Sequence, residues 1–122
     1  MLVIAAPETG ATRGAVNDAV LRRLPRGAFI ISLARGNLLD EQALLMHLES
    51  GQVAGCVLDV YAKEPLPADH PFWGHPRVLV SPHVSAVTDE FWERETHLLV
   101  ENIRRYRRGQ KLRNLVDLEA GY

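Results

Sequence analysis

The chain has 122 residues, 47% hydrophobic and 24% charged, a balance that excludes compositional disorder and a membrane-embedded protein and fits one modest soluble domain. Fourteen Lys and Arg stand against fifteen Asp and Glu, a net charge of −1, which argues against a nucleic-acid or membrane-surface partner. A lone cysteine, Cys56, excludes an internal disulfide and a Cys-based zinc site and makes a reducing cytoplasm the expected compartment.

The apolar run Leu2–Ala6 reads as a strand, too short and too free of basic flanks to be a leader or a membrane span. A loop over 7–14 follows, then a short helix from Ala19 to Leu24 capped by Asn17 and stopped at Pro25-Arg26-Gly27. Ala28–Leu33, AFIISL, has the pattern of a buried strand, and 34–39 is a tight connection. Asp40 then caps EQALLMHLES, a helix with Leu44, Leu45 and Leu48 on its apolar face and Gly51 as its stop. Gly55–Tyr61, GCVLDVY, is a third strand, with Cys56 a small buried hydrophobe. Four prolines between Ala62 and Pro76 predict an extended loop without regular structure. Arg77–Ser81 is a fourth strand. Thr88 is expected to cap a long helix that is acidic at its start and basic at its end, with Phe91, Trp92, Leu98, Leu99, Ile103 and Tyr106 as its apolar stripe and Gly109 as its end. The basic stretch from Arg104 to Arg113 is explained by that dipole complementarity rather than by nucleic acid. His47, His70, His75 and His97 read as surface or packing residues.

Short apolar runs alternating with amphipathic segments indicate parallel βαβ units and an α/β sheet. Ligands of such sheets bind beyond the carboxyl ends of the strands. The loops that leave those ends carry Arg35, Asp59 with Glu64, and His83. An arginine fork can hold a carboxylate bidentately and polarise a neighbouring carbonyl. An imidazole gives and takes protons near neutrality, and an adjacent carboxylate stabilises its charged form. Taken singly, Arg35 is more readily a surface partner of Asp40 or Glu41, and Glu64 a solvated loop charge.

The string SLARGNLLDEQALLMHLESGQVAGCVLDVYAKEPLPADHPFWGHPRVLVSPHVSA, residues 32 to 86, closely resembles the D-isomer-specific 2-hydroxyacid dehydrogenases, within a likeness that runs gap-free over residues 28 to 86. Its ARG, LDV-Y-x-x-EPLP and SPH boxes stand in that family's order. The ending VDLEAGY is similar to the glyoxylate/hydroxypyruvate reductase branch. The resemblance implies that Arg35 binds the carboxylate of a small 2-oxo acid and that Glu64 pairs with His83. It makes His83 the acid–base group during hydride transfer with NAD or NADP. It places Asp59 at the nicotinamide carboxamide, and Leu33, Ala34, Ser85 and Ala86 at the cofactor through their backbones, beside Arg35 and His83. Pro7, Thr9 and Thr12 match the family's P-x-T-x-x-T loop. Ser32 stands where the family usually has asparagine, a change expected to alter packing, and Gly10-Ala11 replaces the common Pro-Glu. No metal site is implied.

No G-x-G-x-x-G is present, so the resemblance implies the second half of a doubly wound, Rossmann-type sheet plus a long C-terminal crossover helix, a fragment of a two-domain enzyme that is homodimeric at full length. Residues 1–87 would be the C-terminal half of the cofactor domain, and 88–122 the helix and tail returning to a substrate domain. The alternative class is a non-enzymatic dinucleotide-binding module of the corepressor type, or an inactive truncation product.

Overall fold

The computed structural model describes residues 1–121; Tyr122, the last residue of VDLEAGY, lies outside them. It divides into two compact units, Met1–Val84 and a second beginning at Ser85. The first holds strands β1 (Leu2–Ile4), β2 (Ala28–Ser32), β3 (Val53–Leu58) and β4 (Val78–Val80), with helices α1 (Asp18–Arg23) and α2 (Glu41–Glu49) between them. The strands form one sheet in the order β1-β2-β3-β4, every neighbouring pair parallel. This is the α/β, Rossmann-type arrangement that the alternation of elements predicts.

Local chemistry sets the helices. Asn17 caps α1, its side-chain oxygen accepting from the amides of Ala19 at 3.1 Å and Val20 at 3.3 Å. Asp40 caps α2 by accepting from the Ala43 amide at 2.9 Å, and Gly51 leaves that helix at φ +71°, a conformation glycine adopts without a Cβ clash. Leu21, Leu44 and Leu48 of these helices are fully buried in one cluster with Ile4, Ile30, Cys56 and Leu58 of the sheet. Burial holds the Cys56 thiol up at about 12, so it packs as a hydrophobe rather than reacting as a thiolate.

Several expectations need correction. AFIISL is not buried throughout: Phe29 is 56% and Leu33 43% exposed. Side chains alternate along a strand, and the core cluster that includes α1 and α2 takes up one face of the sheet, so Val3, Phe29 and Leu79 point to the other. The third strand starts two residues early, where Val53 registers with Ala28, and ends at Leu58. Beyond it Val60 and Tyr61 remain buried, but in a corner rather than in the ladder, which is why apolarity alone overextends the strand. The proline-rich loop contains one 3-10 turn, Pro71–Gly74, tolerated because a proline in the first turn has no amide to satisfy. Phe72, 1% exposed, anchors it.

The second unit is built on α3 (Phe91–Arg107). Thr88 does not cap it. The Thr88 carbonyl accepts from the Phe91 amide in a preceding turn, and its hydroxyl accepts from the Arg94 guanidinium at 2.7 Å. Glu90, at the cap position, makes no capping side-chain bond. The apolar stripe has the expected residues, yet none of α3 is buried, and Trp92 and Tyr106 are 75% and 78% exposed. At its basic end Arg113 and Arg105 pair with Glu101 at 2.8 and 3.5 Å, and Gly109 ends the helix at φ +64°.

Ser32 is fully buried at the end of β2, and its hydroxyl has no hydrogen-bond partner among the described residues. A buried, unsatisfied hydroxyl costs roughly 1–3 kcal/mol. Ser32→Ala is therefore expected to raise the unfolding free energy by about 1 kcal/mol in a urea titration; a loss of stability would show that the hydroxyl has a partner.

Candidate active site

The carboxyl ends of β2, β3 and β4 lie side by side, and each hands its chain to a different functional loop. From β2 the chain runs through Leu33 and Ala34 to Arg35, which is exposed and extended at φ −141° before a 3-10 turn, Gly36–Leu38. Its guanidinium donates to the Ala34 carbonyl at 2.7 Å. The two acids that could have neutralised it are engaged elsewhere: Asp40 caps α2, while Glu41 accepts from the Ala62 amide and reaches His70 at 3.6 Å. Gly36 explains how this turn comes so near the next loop. A Cβ built on it would lie 1.8 Å from the Tyr61 carbonyl carbon, so only glycine permits the approach.

Asp59 follows β3 and is 1% exposed. Its amide donates to the Ser32 carbonyl at 3.0 Å, and its Oδ1 accepts from the Ser81 hydroxyl and from the Val84 amide at 2.9 Å. It thereby ties β3 to the segment leaving β4. Glu64, three residues past Tyr61, lies in the proline-braced loop. One of its oxygens accepts from the Tyr61 amide at 3.0 Å, and the other meets His83 Nδ1 at 2.7 Å. With a carboxylate as partner, Nδ1 carries the proton and Nε2 is left to face outward chemistry.

His83 has a φ of +55°, in the left-handed region that non-glycine residues enter only under constraint. The constraints are visible on both sides: the ring is held by Glu64, and the next amide, Val84, by Asp59. Burial pushes the Glu64 carboxyl up, but the hydrogen bonds from His83 and Tyr61 and the positive charges of His83 and Arg35 outweigh it and hold the group below the ordinary glutamate range. Arg35, Glu64 and His83 thus share one electrostatic neighbourhood. Glu64 and His83 open onto a cleft of about 500 Å³ whose other walls are Tyr61, Pro65, Leu66, Trp73, Ser81 and Pro82, a volume suited to a small molecule.

The remaining residues nominated for the cofactor are distributed differently. Leu33 is exposed and its amide donates to the Ile4 carbonyl, while Ala34 is buried. The loop of Pro7, Thr9 and Thr12 is closed on itself, Thr12 Oγ1 donating to the Pro7 carbonyl at 2.7 Å and accepting from the Thr9 amide at 2.8 Å. Thr12 lines a separate groove beside β1 rather than the cleft of the His83–Glu64 pair. Ser85 and Ala86 open the second unit. Among the described residues no group of three His, Cys, Asp or Glu side chains is placed to hold a metal ion. Tyr61 is the residue of this site that sequence reasoning passed over, since it reads as the last apolar residue of a strand.

Residues 1–85 match the sequence profile of the D-isomer specific 2-hydroxyacid dehydrogenase, NAD binding domain. Over its full length the chain is 40% identical to the glyoxylate/hydroxypyruvate reductase A of Photorhabdus laumondii, of which it spans 38%. A crystal structure of a D-isomer specific 2-hydroxyacid dehydrogenase from Xanthobacter autotrophicus, in complex with NADPH and MES, superposes with a TM-score of 0.91 at 42% identity, covering 99% of this chain and 50% of that one. The NADPH-dependent glyoxylate/hydroxypyruvate reductase of Sinorhizobium meliloti, in complex with NADP and sulfate, also gives 0.91, at 37% identity, with 98% of this chain and 39% of that one covered.

Proposed function

Because the chain belongs to the D-isomer specific 2-hydroxyacid dehydrogenase family through its NAD binding domain, we propose that it serves a reductase that transfers a hydride between NAD(P)H and a small 2-oxo acid such as glyoxylate or hydroxypyruvate. The observation that carries this reading is the 2.7 Å contact between His83 Nδ1 and Glu64, a pair on whose carboxylate the charge of Arg35 also acts. In this reading 1–87 form the C-terminal half of the cofactor domain, and 88–122 lead to a substrate domain.

The family resemblance would set the nicotinamide carboxamide near Asp59, whose carboxylate is here buried and held by Ser81 and Val84, and it nominates the backbones of Leu33, Ala34, Ser85 and Ala86 and the Pro7–Thr12 loop as the residues that would hold the dinucleotide. When bound, the dinucleotide supplies the hydride. Arg35 grips the substrate carboxylate through its planar fork and orients the carbonyl. His83 holds a proton at Nε2 and releases it to the developing alkoxide. Glu64 fixes the ring through Nδ1. Trp73 and Leu66 give the cleft an apolar wall.

We further propose a cytoplasmic homodimer as the working form. The net charge of −1 gives anionic partners no general attraction, no helix among the described residues is long and apolar enough to cross a membrane, and the exposed apolar residues of α3 offer area for pairing. The function is tested by joining this chain to the remaining part of the Photorhabdus relative and following NADPH and NADH oxidation with glyoxylate and hydroxypyruvate. Turnover above the substrate-free rate is expected. A joined protein that folds and binds the dinucleotide yet reduces neither acid would favour the non-enzymatic module.

A further inference from the structure

On the proposed dehydrogenase reading, we infer that Tyr61 is a positioning residue of this site, meeting the three loops through its amide, its carbonyl and its phenol in turn. It is 6% exposed and touches every loop. Its amide donates to Glu64 Oε1 at 3.0 Å, on the carboxylate whose other oxygen holds His83. Its carbonyl is the surface against which Gly36 packs, so it sets how closely the Arg35 turn approaches. Its phenol reaches the Leu58 carbonyl at 2.7 Å and the Ser81 carbonyl at 2.9 Å, and accepts from the Ser81 amide at 3.1 Å.

Those last contacts bolt the end of β3 to the end of β4, two residues before His83. Burial pushes the Tyr61 phenol up, the Ser81 backbone contact pulls it partly back, and the negative charges of Asp59 and Glu64 push it up again. The phenol therefore keeps its proton at neutrality and donates it to one or the other strand-end carbonyl while accepting from the Ser81 amide. Tyr61 acts through Glu64 and His83, by holding the amide that orients one and the strand end that delivers the other.

Tyr61→Phe keeps the amide and the ring and removes only the phenol tie. In the 122-residue chain, ¹³C titration of the Glu64 carboxyl should show its midpoint rising toward the ordinary glutamate range: the Ser81 amide keeps its own bond to the Leu58 carbonyl at 2.9 Å, but without the phenol tie the segment that carries His83 is held less firmly and the His83–Glu64 hydrogen bond weakens. Ile30→Val, a core change remote from the cleft, serves as the comparison: it lowers Tm and leaves the Glu64 midpoint in place. In the joined enzyme, Tyr61→Phe should lower kcat about tenfold while KM for the oxo acid stays within about twofold, as loss of orientation without loss of the carboxylate clamp predicts. If the variant is partly unfolded, trimethylamine N-oxide restores the compact state for the titration. A Glu64 midpoint equal to the wild-type one in folded Tyr61→Phe overturns the inference. The titration needs no turnover, so a joined enzyme without activity would sink the dehydrogenase reading and leave the titration result standing.

Discussion

His83→Ala in the joined protein is expected to lower kcat for glyoxylate or hydroxypyruvate reduction by about 10²–10⁴-fold, the usual contribution of a positioned general acid. KM should change much less, because the carboxylate clamp proposed for Arg35 leaves a different strand end. The size of the effect follows from how completely the geometry commits this ring. Its Nδ1 is taken by Glu64 at 2.7 Å, its backbone is held at φ +55°, and the following amide is fixed to buried Asp59. The other histidines of the first unit are engaged elsewhere: His47 is bound to Asp18 at 2.9 Å, His70 faces Glu41 at 3.6 Å, and His75 accepts from the Arg77 amide at 3.1 Å. Steady-state rates at saturating oxo acid decide the matter, and a variant within a few-fold of wild type would remove His83 from the proton-transfer role.

Gly36→Ala is expected to be the most damaging single-methyl change in the chain. The new Cβ would stand 1.8 Å from the Tyr61 carbonyl carbon, 2.0 Å from its oxygen and 2.3 Å from the Ala62 nitrogen. All three are backbone atoms in a buried corner, so no side chain can swing aside to relieve the overlap. Either the ARG turn lifts away, separating Arg35 from Glu64, or the chain fails to close. A cost of about 4 kcal/mol or more is expected, a large share of the roughly 5–15 kcal/mol that holds a domain together. Gly74→Ala is the matched control, since nothing lies within 4 Å of a Cβ there and its φ is not positive. Urea unfolding and the dispersion of ¹H–¹⁵N spectra measure both; wild-type stability in Gly36→Ala would mean that the two loops are not in backbone contact.

The parts of this fold that could be read along the chain are those governed by local chemistry. Asn17 and Asp40 are caps because a short polar side chain satisfies amides two or three residues on, and four short apolar runs separated by amphipathic segments admit little besides a parallel sheet. Thr88 failed the same local rule because its hydroxyl met a guanidinium, an interaction set by where α3 begins rather than by the capping pattern. Which face of AFIISL is covered depended on where the buried leucines of α1 and α2 pack, so the exposure of Phe29 was not legible from hydrophobicity.

The sequence by itself determined the chemistry available: a guanidinium, a carboxylate and an imidazole, each leaving the carboxyl end of a different strand, because residue type and motif order are properties of the chain alone. Only the tertiary structure decided how they meet. The Glu64–His83 bond spans 19 residues, the Tyr61–Ser81 tie 20, and the Val84–Asp59 tie 25, and contacts of that separation form when parallel pairing sets neighbouring strand ends side by side. The glycine that lets the Arg35 turn close on Tyr61 is likewise explained only by the backbone it touches across the site.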